Sequence, residues 1–471
     1  MKRMQAQLVS DSLDQPTDAV ATPVSSPLRA RVLQAGSLNL FVHAIGQVLR
    51  LVSNLVMARL LAPEMFGVMA LAAVVQVIVA LLSDIGLRQA IIQSPRGDAP
   101  QMLNTAWTLQ IARGWLIWLV CSVFAVVLPM AVTLGWLPGG SVYASTELPG
   151  VIVGMSFAAV IAGFQSTKVF TTERTLNVRK AMAIELMAQV CGLVVTAVLA
   201  FWTRSIWSFV AGALFSATLS VLLSHAWLPG PSNRLAWDRD ALRDLFAYGR
   251  WVLLSSVFFV LAANGDRLML GAWVDAATLG LYSIAFSLAA MVEGAVTRLL
   301  LAVAMPALSE VVRNDPSRLR ATYFQLRLPI DLAYLGVSGL LCAVGSALVH
   351  LMYDDRYAAA GPMLQVLAIS LFFVRFGLAG SAYLALGEPR NLTWIHLVKL
   401  ASVVVVLPIG YYGFGIQGVL VAVAVCAAPT LPLIYFYNQR HGLNDWAFEL
   451  RVLAAWPLGY GVGWLVAQAV G

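Results

Sequence analysis

The stretch that decides the fold is Met65–Ser83, which reads MFGVMALAAVVQVIVALLS and contains no charged residue. A helix needs about 20 predominantly apolar residues to cross the hydrocarbon core of a bilayer, and this run meets that requirement. The bilayer core holds no water to satisfy exposed backbone groups, so the run must be helical if it lies there. The stretch therefore predicts a transmembrane α-helix.

The whole chain has the same character. Of its 471 residues, 60% are hydrophobic and 11% are charged, whereas soluble domains are about 45–50% apolar and about 25% charged. The net charge of +7 is spread over short loops rather than one patch, so no nucleic-acid partner is expected. The cysteines lie in apolar runs without metal-ligand spacing and are expected to be core residues: Cys121, Cys191, Cys342 and Cys426.

About thirteen apolar runs are long enough to span a membrane. The first six are Leu38–Ala58, Met65–Ser83, Asn104–Val127, Leu148–Gln165, Ala181–Trp202 and Ile206–Ser224. The next six are Tyr248–Gly265, Leu279–Met305, Leu328–Leu351, Met363–Leu386, Leu392–Tyr412 and Ile416–Phe436, and Leu453–Val470 is the last. The sequence therefore predicts an all-α polytopic membrane protein.

The charges of the loops predict the orientation. The first 36 residues are polar and lack a long apolar stretch before a cleavage site, as expected for a disordered cytoplasmic tail. Most of the 30 basic residues then fall on the same side as this tail, which is a strong positive-inside signal. We expect a cytoplasmic amino terminus and the following organisation: tail 1–36, first lobe 37–227, connecting loop 228–247, second lobe 248–438 and an additional span within 439–471.

A short internal repeat relates the two halves. Phe66–Ala72 opens the second run, and Leu279–Ala285 opens the eighth with a similar sequence. Asn54 and Asn264 lie upstream of the two copies. The eighth run comes six runs after the second, and an even offset gives both halves the same orientation. Two pseudo-symmetric six-helix lobes, with a site between them, are a transporter arrangement.

A polar stripe follows the first run. Asn39, His43, Gln47, Arg50 and Asn54 are spaced so that they share one helical face, opposite an apolar face. For Asn39 and His43 we favour hydrogen bonds to other helices. Arg50 is a fixed charge near mid-depth whose burial costs more than such bonds return, so we expect Arg50, with Gln47 and Asn54, to line a central cavity.

Three more arginines lie inside apolar runs. Arg375 is near the middle of the tenth run, Arg298 toward the inner end of the eighth and Arg113 in the inner half of the third. We expect all three to line the cavity, although Arg113 and Arg298 are equally compatible with snorkelling to the interface. Replacing Arg50 and Arg375 with Ala should then abolish transport while folding and insertion persist.

Three acidic residues are candidates for ion coupling. Glu293 lies near mid-depth, where it either neutralises a neighbouring arginine or carries a coupling proton. Asp84 and Asp266, together with Arg267, are near the ends of runs, where solvated roles are favoured over coupling. Several arginines against one clear mid-membrane acid predict a cationic cavity, which suits an anionic lipid headgroup because guanidinium forks match phosphate oxygens.

Motifs for catalysis are missing from the sequence. It has no phosphate-cradling loop of the ATPase type, no zinc-ligand spacing and no nucleophile elbow. The longest outer loop, Leu128–Glu147, is short for a catalytic segment. We therefore expect a protein that is not an enzyme and needs no metal or cofactor.

Several motifs carry a family resemblance. Asn54–Gln93 reads NLVMARLLAPEMFGVMALAAVVQVIVALLSDIGLRQAIIQ, with Ala-Arg-Leu-Leu-x-Pro-Glu-x-Phe-Gly at Ala58–Gly67 and Asp-x-Gly-Leu at Asp84–Leu87. On these residues the chain resembles the polysaccharide-transporter family, the Wzx-type oligosaccharide flippases of the multidrug/oligosaccharidyl-lipid/polysaccharide exporter superfamily. Further segments are similar to the family: Leu103–Ala106, Asn264–Arg267, Gly280–Ala285 and Met305–Ser309.

The resemblance implies a function. Members move polyprenyl-pyrophosphate-linked oligosaccharides from the inner to the outer leaflet of a bacterial inner membrane, for exopolysaccharide or lipopolysaccharide synthesis. The implied partners are that substrate, membrane lipids, a polysaccharide polymerase and chain-length machinery. Members have twelve or fourteen spans, so the thirteenth run departs from the pattern and leaves the carboxyl terminus unplaced. The alternatives are a flippase for a lipid-linked peptidoglycan precursor and a multidrug cation antiporter of the same superfamily; a non-transporting scaffold fits the polar stripe poorly.

Overall fold

A computed structural model describes residues 26–83, 87–88, 91, 97–174, 178–238, 242, 258–299 and 303–470, with the side chains of 26–40, 43, 82, 298, 299 and 470 outside that description. Within these ranges the chain consists of helices and their connections and contains no β-strand. The all-α fold that the apolar runs predicted is therefore confirmed.

The first half of the chain forms the first lobe. Its helix α1 begins at Ser26, inside the segment that the sequence led us to expect as a tail. A bend of 67° separates α4 from the short α5. Each of the six runs predicted as spans in this half lies on a helix. The helices are α1 Ser26–Leu60, α2 Pro63–Leu82, α3 Pro100–Thr133, α4 Leu148–Gly163, α5 Lys168–Arg174, α6 Arg179–Thr203 and α7 Trp207–Trp227.

The second half forms the second lobe, followed by a helical carboxyl-terminal segment. Its first described helix, α8, covers residues 258–273 and so continues beyond the boundary at Gly265 that the sequence suggested. The remaining helices are α9 Ala276–Leu299, α10 Met305–Asn314, α11 Leu319–Met352, α12 Ala360–Leu367, α13 Leu371–Val374, α14 Gly377–Ala385, α15 Pro389–Val425, α16 Leu431–Arg440, α17 Trp446–Leu453 and α18 Ala455–Val470.

Prolines set where several helices begin. Pro63, Pro100 and Pro389 occupy the first turn of α2, α3 and α15. The first backbone N–H groups of a helix have no partner within it, so the missing N–H of proline costs nothing at this position. Interior prolines also occur, at Pro129 in α3 and Pro329 in α11.

Two predicted spans are irregular. The tenth is broken into α12, a 3₁₀ turn at Ala368–Ser370, α13 and α14. Helix α15 reverses direction at Phe414 and Gly415, and the positive φ of +60° at Gly415 is a conformation that glycine adopts readily. The two halves of α15 pack against each other so closely that a Cβ on Gly410 would lie 2.5 Å from the Gly418 carbonyl oxygen. The eleventh and twelfth spans are therefore an antiparallel hairpin.

Nine helical segments of the described chain are long and apolar enough to cross a membrane, or up to ten if the bent α4–α5 pair is one span. One of the nine, Pro389–Arg440, includes the reversal at Gly415 and can cross twice. The chain is a multi-pass membrane protein.

The last helix packs along α11. A Cβ on Gly339 would lie 2.1 Å from the Trp456 carbonyl oxygen, and one on Gly459 would lie 2.1 Å from that of Gly336. The Trp456 indole also donates a hydrogen bond to the Ser338 hydroxyl. Helix α18 is therefore a packed part of the bundle, not a loose extension.

The two lobes meet where α2 crosses α9. A Cβ on Gly67 would lie 2.0 Å from the Ala276 carbonyl oxygen, and one on Gly280 would lie 1.9 Å from that of Pro63. Gly67 and Gly280 are the equivalent positions of the internal repeat, so the pseudo-symmetry of the sequence is present at the lobe interface. Both helices begin here, and contact this close requires glycine on each.

The two ends of the helical bundle differ in the charge that they carry. The basic end is where α7 and α9 end and α11 and α15 begin, and it carries Lys168, Arg179, Arg313 and Arg390. The opposite end holds the turns after α1, α3 and α11 and the crossing of α2 with α9. The predicted connecting loop 228–247 is at the basic end where it is described, and the rest of it lies outside the described residues.

Candidate functional site between the lobes

Helix α1 exposes two different faces. One is apolar and includes Phe41, Val48 and Val52, with Val48 59% exposed. Arg50 is also exposed, but it is two residues from both Val48 and Val52 and therefore about 200° around the helix from them. The apolar face suits lipid, whereas a charge requires water. Arg50 therefore lies on the face of α1 that is turned away from the lipid-compatible one.

Near Arg50, helix α1 contacts both lobes. A Cβ on Gly294 of α9 would lie 3.3 Å from Nε2 of Gln47, so α1 touches the second lobe here. On the first-lobe side, the Gln189 amide donates a hydrogen bond to the Gly46 carbonyl at 3.3 Å. The buried Oε1 of Gln47 has no hydrogen-bond partner. Arg50 is one turn beyond Gln47, and half-buried Asn54 is one turn further.

Two members of the predicted stripe are not tested. Asn39 and His43 belong to α1, but their side chains lie outside the described residues.

Hydrogen bonds between the lobes gather at the opposite end. Tyr143 donates to the Leu268 carbonyl at 3.1 Å, and Tyr357 donates to the Leu61 carbonyl at 2.9 Å. The Arg356 guanidinium donates to the Ala58 carbonyl at 3.3 Å. Burial raises the pKa of Tyr143 to about 12. Among the described residues, no such bond joins the lobes at the basic end.

A pair of cavities inside the second lobe has charged residues in its walls. Two adjoining chambers of about 310 and 350 Å³ share Glu293 of α9 and Lys399 of α15 in their walls. Both side chains are half-buried, and within the described chain neither has an oppositely charged partner closer than 4.0 Å. Arg267 lines the first chamber, and His396 lines the second. Glu293 is adjacent to Gly294, so the chambers border the contact between α1 and α9.

Lys399 was not among the predicted site residues. It lies within the eleventh apolar run, Leu392–Tyr412, where its charge is the signal that could have identified it. Arginine is favoured in a search for phosphate ligands because its fork matches phosphate, and such a search passes over Lys399.

The expectation for Asp266 was wrong. Helix α8 continues to residue 273, so Asp266 is inside the helix and only 6% exposed rather than solvated at a span end. The Tyr282 hydroxyl donates to its Oδ2, and its buried Oδ1 has no hydrogen-bond partner. Arg267 lies over the Phe286 ring, 4.1 Å from the centroid, and donates to Asn264. Asp84 lies outside the described residues.

Arg375 lies in a buried ion-pair cluster within the second half of the chain. It is 2% exposed and bonds Asp331 at 2.9 Å and Glu449 at 2.8 Å. Arg327 bonds the same carboxylates at 3.0 and 2.5 Å. Two arginines and two carboxylates cancel, so the charge of Arg375 is satisfied without a substrate. The predicted excess of basic residues over a single acid omitted Asp331 in the ninth run and Glu449 before the last.

The remaining predicted arginines are Arg113, which contacts the end of α2, and Arg298. Arg113 donates to the Ala80 carbonyl at 2.7 Å and the Ser83 hydroxyl at 3.2 Å, so it satisfies groups at the end of α2. It also lines a cavity of about 400 Å³ in the first lobe with Gln110. Arg298 belongs to α9, but its side chain lies outside the described residues.

Known proteins are similar to this chain over most of its length. An uncharacterized membrane protein in the cps region of Klebsiella pneumoniae is 22% identical over 84% of this chain and 80% of that protein. The lipopolysaccharide biosynthesis protein WzxC of Escherichia coli K12 is also 22% identical, over 68% of this chain and 63% of its own. The lipid II flippase MurJ, in an inward closed conformation, superposes with a TM-score of 0.65 and 10% identity, covering 90% of this chain and 97% of MurJ.

A family model covers more than half of the chain. Residues 56–362 match the model described as "Polysaccharide biosynthesis protein", a range that includes the motif at Ala58–Gly67 and its counterpart at Gly280–Ala285. The chain therefore belongs to the polysaccharide biosynthesis protein family, the polysaccharide transporters that its motifs resemble.

Proposed function

We propose that this protein is a flippase for a polyprenyl-pyrophosphate-linked oligosaccharide. It would move this lipid across a bacterial inner membrane through a cleft that lies beside Arg50, between the two lobes. The observation that carries the proposal is Arg50, an exposed cation of helix α1 on a face turned away from the apolar one. The names of similar proteins, which include lipopolysaccharide biosynthesis and a lipid flippase, support this substrate class.

The chemistry of the substrate explains the cleft. Sugar hydroxyls cannot enter hydrocarbon without losing hydrogen bonds that nothing replaces, so they need a wet path. The pyrophosphate needs cationic donors, and the guanidinium of Arg50 keeps its charge and offers a matching fork. Gln47 and Asn54, one turn to either side, can donate to sugar hydroxyls. The polyprenyl chain would remain in the surrounding lipid.

Alternating exposure of the cleft would complete the movement. The bonds of Tyr143, Tyr357 and Arg356 and the crossing at Gly67 and Gly280 close the opposite end. Rocking of the two lobes would break these contacts and bring the basic end together, as expected for paired helical bundles. With the amino terminus in the cytoplasm, the present form would accept substrate from the inner leaflet.

The driving force has two proposed sources. An interior-negative potential favours outward movement of an anion by about 2.3 kcal/mol per charge per 100 mV. Glu293, which shares its chambers with Lys399, is the candidate proton carrier, with Asp266 as a further one. If flipping in vesicles ignores an imposed potential, the first source is excluded. If flipping by the unmodified protein ignores a proton gradient, the second source is excluded. If Glu293→Gln responds to a proton gradient as the unmodified protein does, Glu293 is not the carrier.

The test of the cleft uses Arg50. In proteoliposomes carrying a lipid-linked oligosaccharide, Arg50→Ala should reduce flipping by about tenfold or more, since a charged hydrogen bond is lost. Arg50→Lys should retain an intermediate rate because it keeps the charge without the fork. Arg59→Ala removes an exposed arginine from the same helix outside the cleft and should be unaffected. Equal rates for Arg50→Ala and Arg59→Ala would refute the proposal.

The same vesicles separate the alternatives. A lipid-linked peptidoglycan precursor presents the same pyrophosphate, so it should compete with the oligosaccharide only if the protein carries both. A multidrug antiporter would instead transport an organic cation, and Arg50→Ala would then improve transport by removing a like charge. We expect no cation transport.

A further inference from the structure

A basic groove lies on the lipid-facing surface of the first lobe, between the first turn of α6 and the last turn of α7. Its volume is about 570 Å³, and its walls are Arg179, Lys180, Ala183, Ala226 and Trp227. Helices α6 and α7 are among the least buried of the described spans, so the groove faces the surrounding bilayer rather than the cleft. Because these residues end two spans, the groove lies at the level of lipid headgroups.

The positive charge of the groove is not balanced by acidic residues. Arg179 and Lys180 are exposed, and within the described chain no carboxylate lies within 4.0 Å of either. The adjacent residues 175–177 are Thr, Leu and Asn and carry no acid. A third cation is close by, because Lys168 donates to the His225 carbonyl at 3.3 Å while Lys180 donates to that of Trp227 at 3.5 Å.

The shape of the groove suits an amphiphile. Ala183 and Ala226 are small, so the space between the helices stays open at its floor. The Trp227 ring, 45% exposed, forms one wall. Tryptophan is enriched where membrane meets water, because its ring tolerates both the acyl chains and the headgroups. Basic pockets between spanning helices at the membrane surface are suited to acidic headgroups.

We propose that this groove binds an anionic phospholipid of the surrounding bilayer. Arg179 and Lys180 hold the phosphodiester, and Trp227 packs against the glycerol and the upper acyl chain. The site is separate from the cleft beside Arg50, and it does not depend on the transported substrate.

Native mass spectrometry of the purified full chain tests this, with phosphatidylglycerol and phosphatidylcholine as probes. The unmodified protein should retain phosphatidylglycerol in preference to phosphatidylcholine. Arg179→Gln combined with Lys180→Gln should weaken that binding roughly thirtyfold. Arg313→Gln combined with Arg318→Gln removes two exposed arginines from the same end and should leave it unchanged. Ala183→Trp keeps every charge but fills the floor, and it should also release the lipid.

Three results would overturn the proposal. Equal retention of the two lipids by the unmodified protein would show that the groove does not select an anionic phospholipid. An equal loss of phosphatidylglycerol binding in the Arg313/Arg318 control would show that the binding depends on net charge and not on this groove. Retention by Ala183→Trp would show that the groove is not where the lipid sits, and release by millimolar inorganic phosphate would show that only the phosphate is held.

Discussion

At the scale of single residues, Arg50 and Arg375 have similar positions in the sequence but different surroundings in the structure. Arg50 and Arg375 both interrupt apolar runs near mid-depth, and both were expected to line one cavity. Arg50 is exposed and has no carboxylate within 4.0 Å in the described chain, whereas Arg375 is enclosed by Asp331 and Glu449. Sequence can report the depth of a charge, but the partner comes from packing between distant elements, and Glu449 is 74 residues from Arg375.

Substitution of Arg375 should therefore reduce stability, whereas substitution of Arg50 should reduce flipping. Arg375→Met leaves Asp331 and Glu449 buried with one guanidinium instead of two, so we expect a loss of about 3–5 kcal/mol in the free energy of unfolding. Combined with Glu449→Gln, the loss should be smaller than the sum of the two single losses, because the partners are coupled. Unfolding in detergent measures both, with exposed Arg390→Met as the unaffected control. Additive losses would contradict the coupling.

At the scale of helices, the sequence predicted which apolar runs are helical. It predicted the breaks and ends of those helices less well. Every span must satisfy its backbone internally, so long apolar runs reliably predict helices. The break at Ala368–Ser370 leaves no comparable signal, since neighbouring helices can satisfy the freed backbone groups. The end of α8 was missed because Asp266 resembles a boundary until Tyr282 supplies its buried partner. The chambers around Lys399 likewise depend on how three distant helices pack.

The final helix offers a matched test of packing. Gly459 and Gly461 lie two residues apart on α18, but a Cβ on Gly459 would meet the Gly336 carbonyl oxygen at 2.1 Å, whereas one on Gly461 would meet nothing within 4 Å. Gly459→Leu should therefore displace α18 from α11 and lower stability by about 1–3 kcal/mol. Gly461→Leu should have little effect. Thermal unfolding of both variants decides the matter, and equal midpoints would mean that α18 is not held along this face.

At the scale of the whole molecule, the lobes are joined at one end by groups that the internal repeat places symmetrically. Gly67 and Gly280 bring α2 and α9 into backbone contact, and the bonds of Tyr143 and Tyr357 surround that crossing. A conformation is favoured only by contacts that differ between states. The balance between the two openings of the cleft should therefore depend on this crossing more than on residues that contact the substrate.

Gly67→Leu tests this dependence directly. The added side chain would begin 2.0 Å from the Ala276 carbonyl oxygen, so the closed crossing cannot form and the population should shift toward a form open at the opposite end. Spin labels at Trp136→Cys and Tyr412→Cys, exposed positions of the two lobes at that end, should report a longer distance once the four native cysteines are replaced. Gly139→Leu, in an uncrowded loop of the same end, is the control. Flipping should fall in Gly67→Leu although Arg50 is intact, because the cleft can no longer close behind the substrate; an unchanged distance would mean that the crossing does not govern the opening.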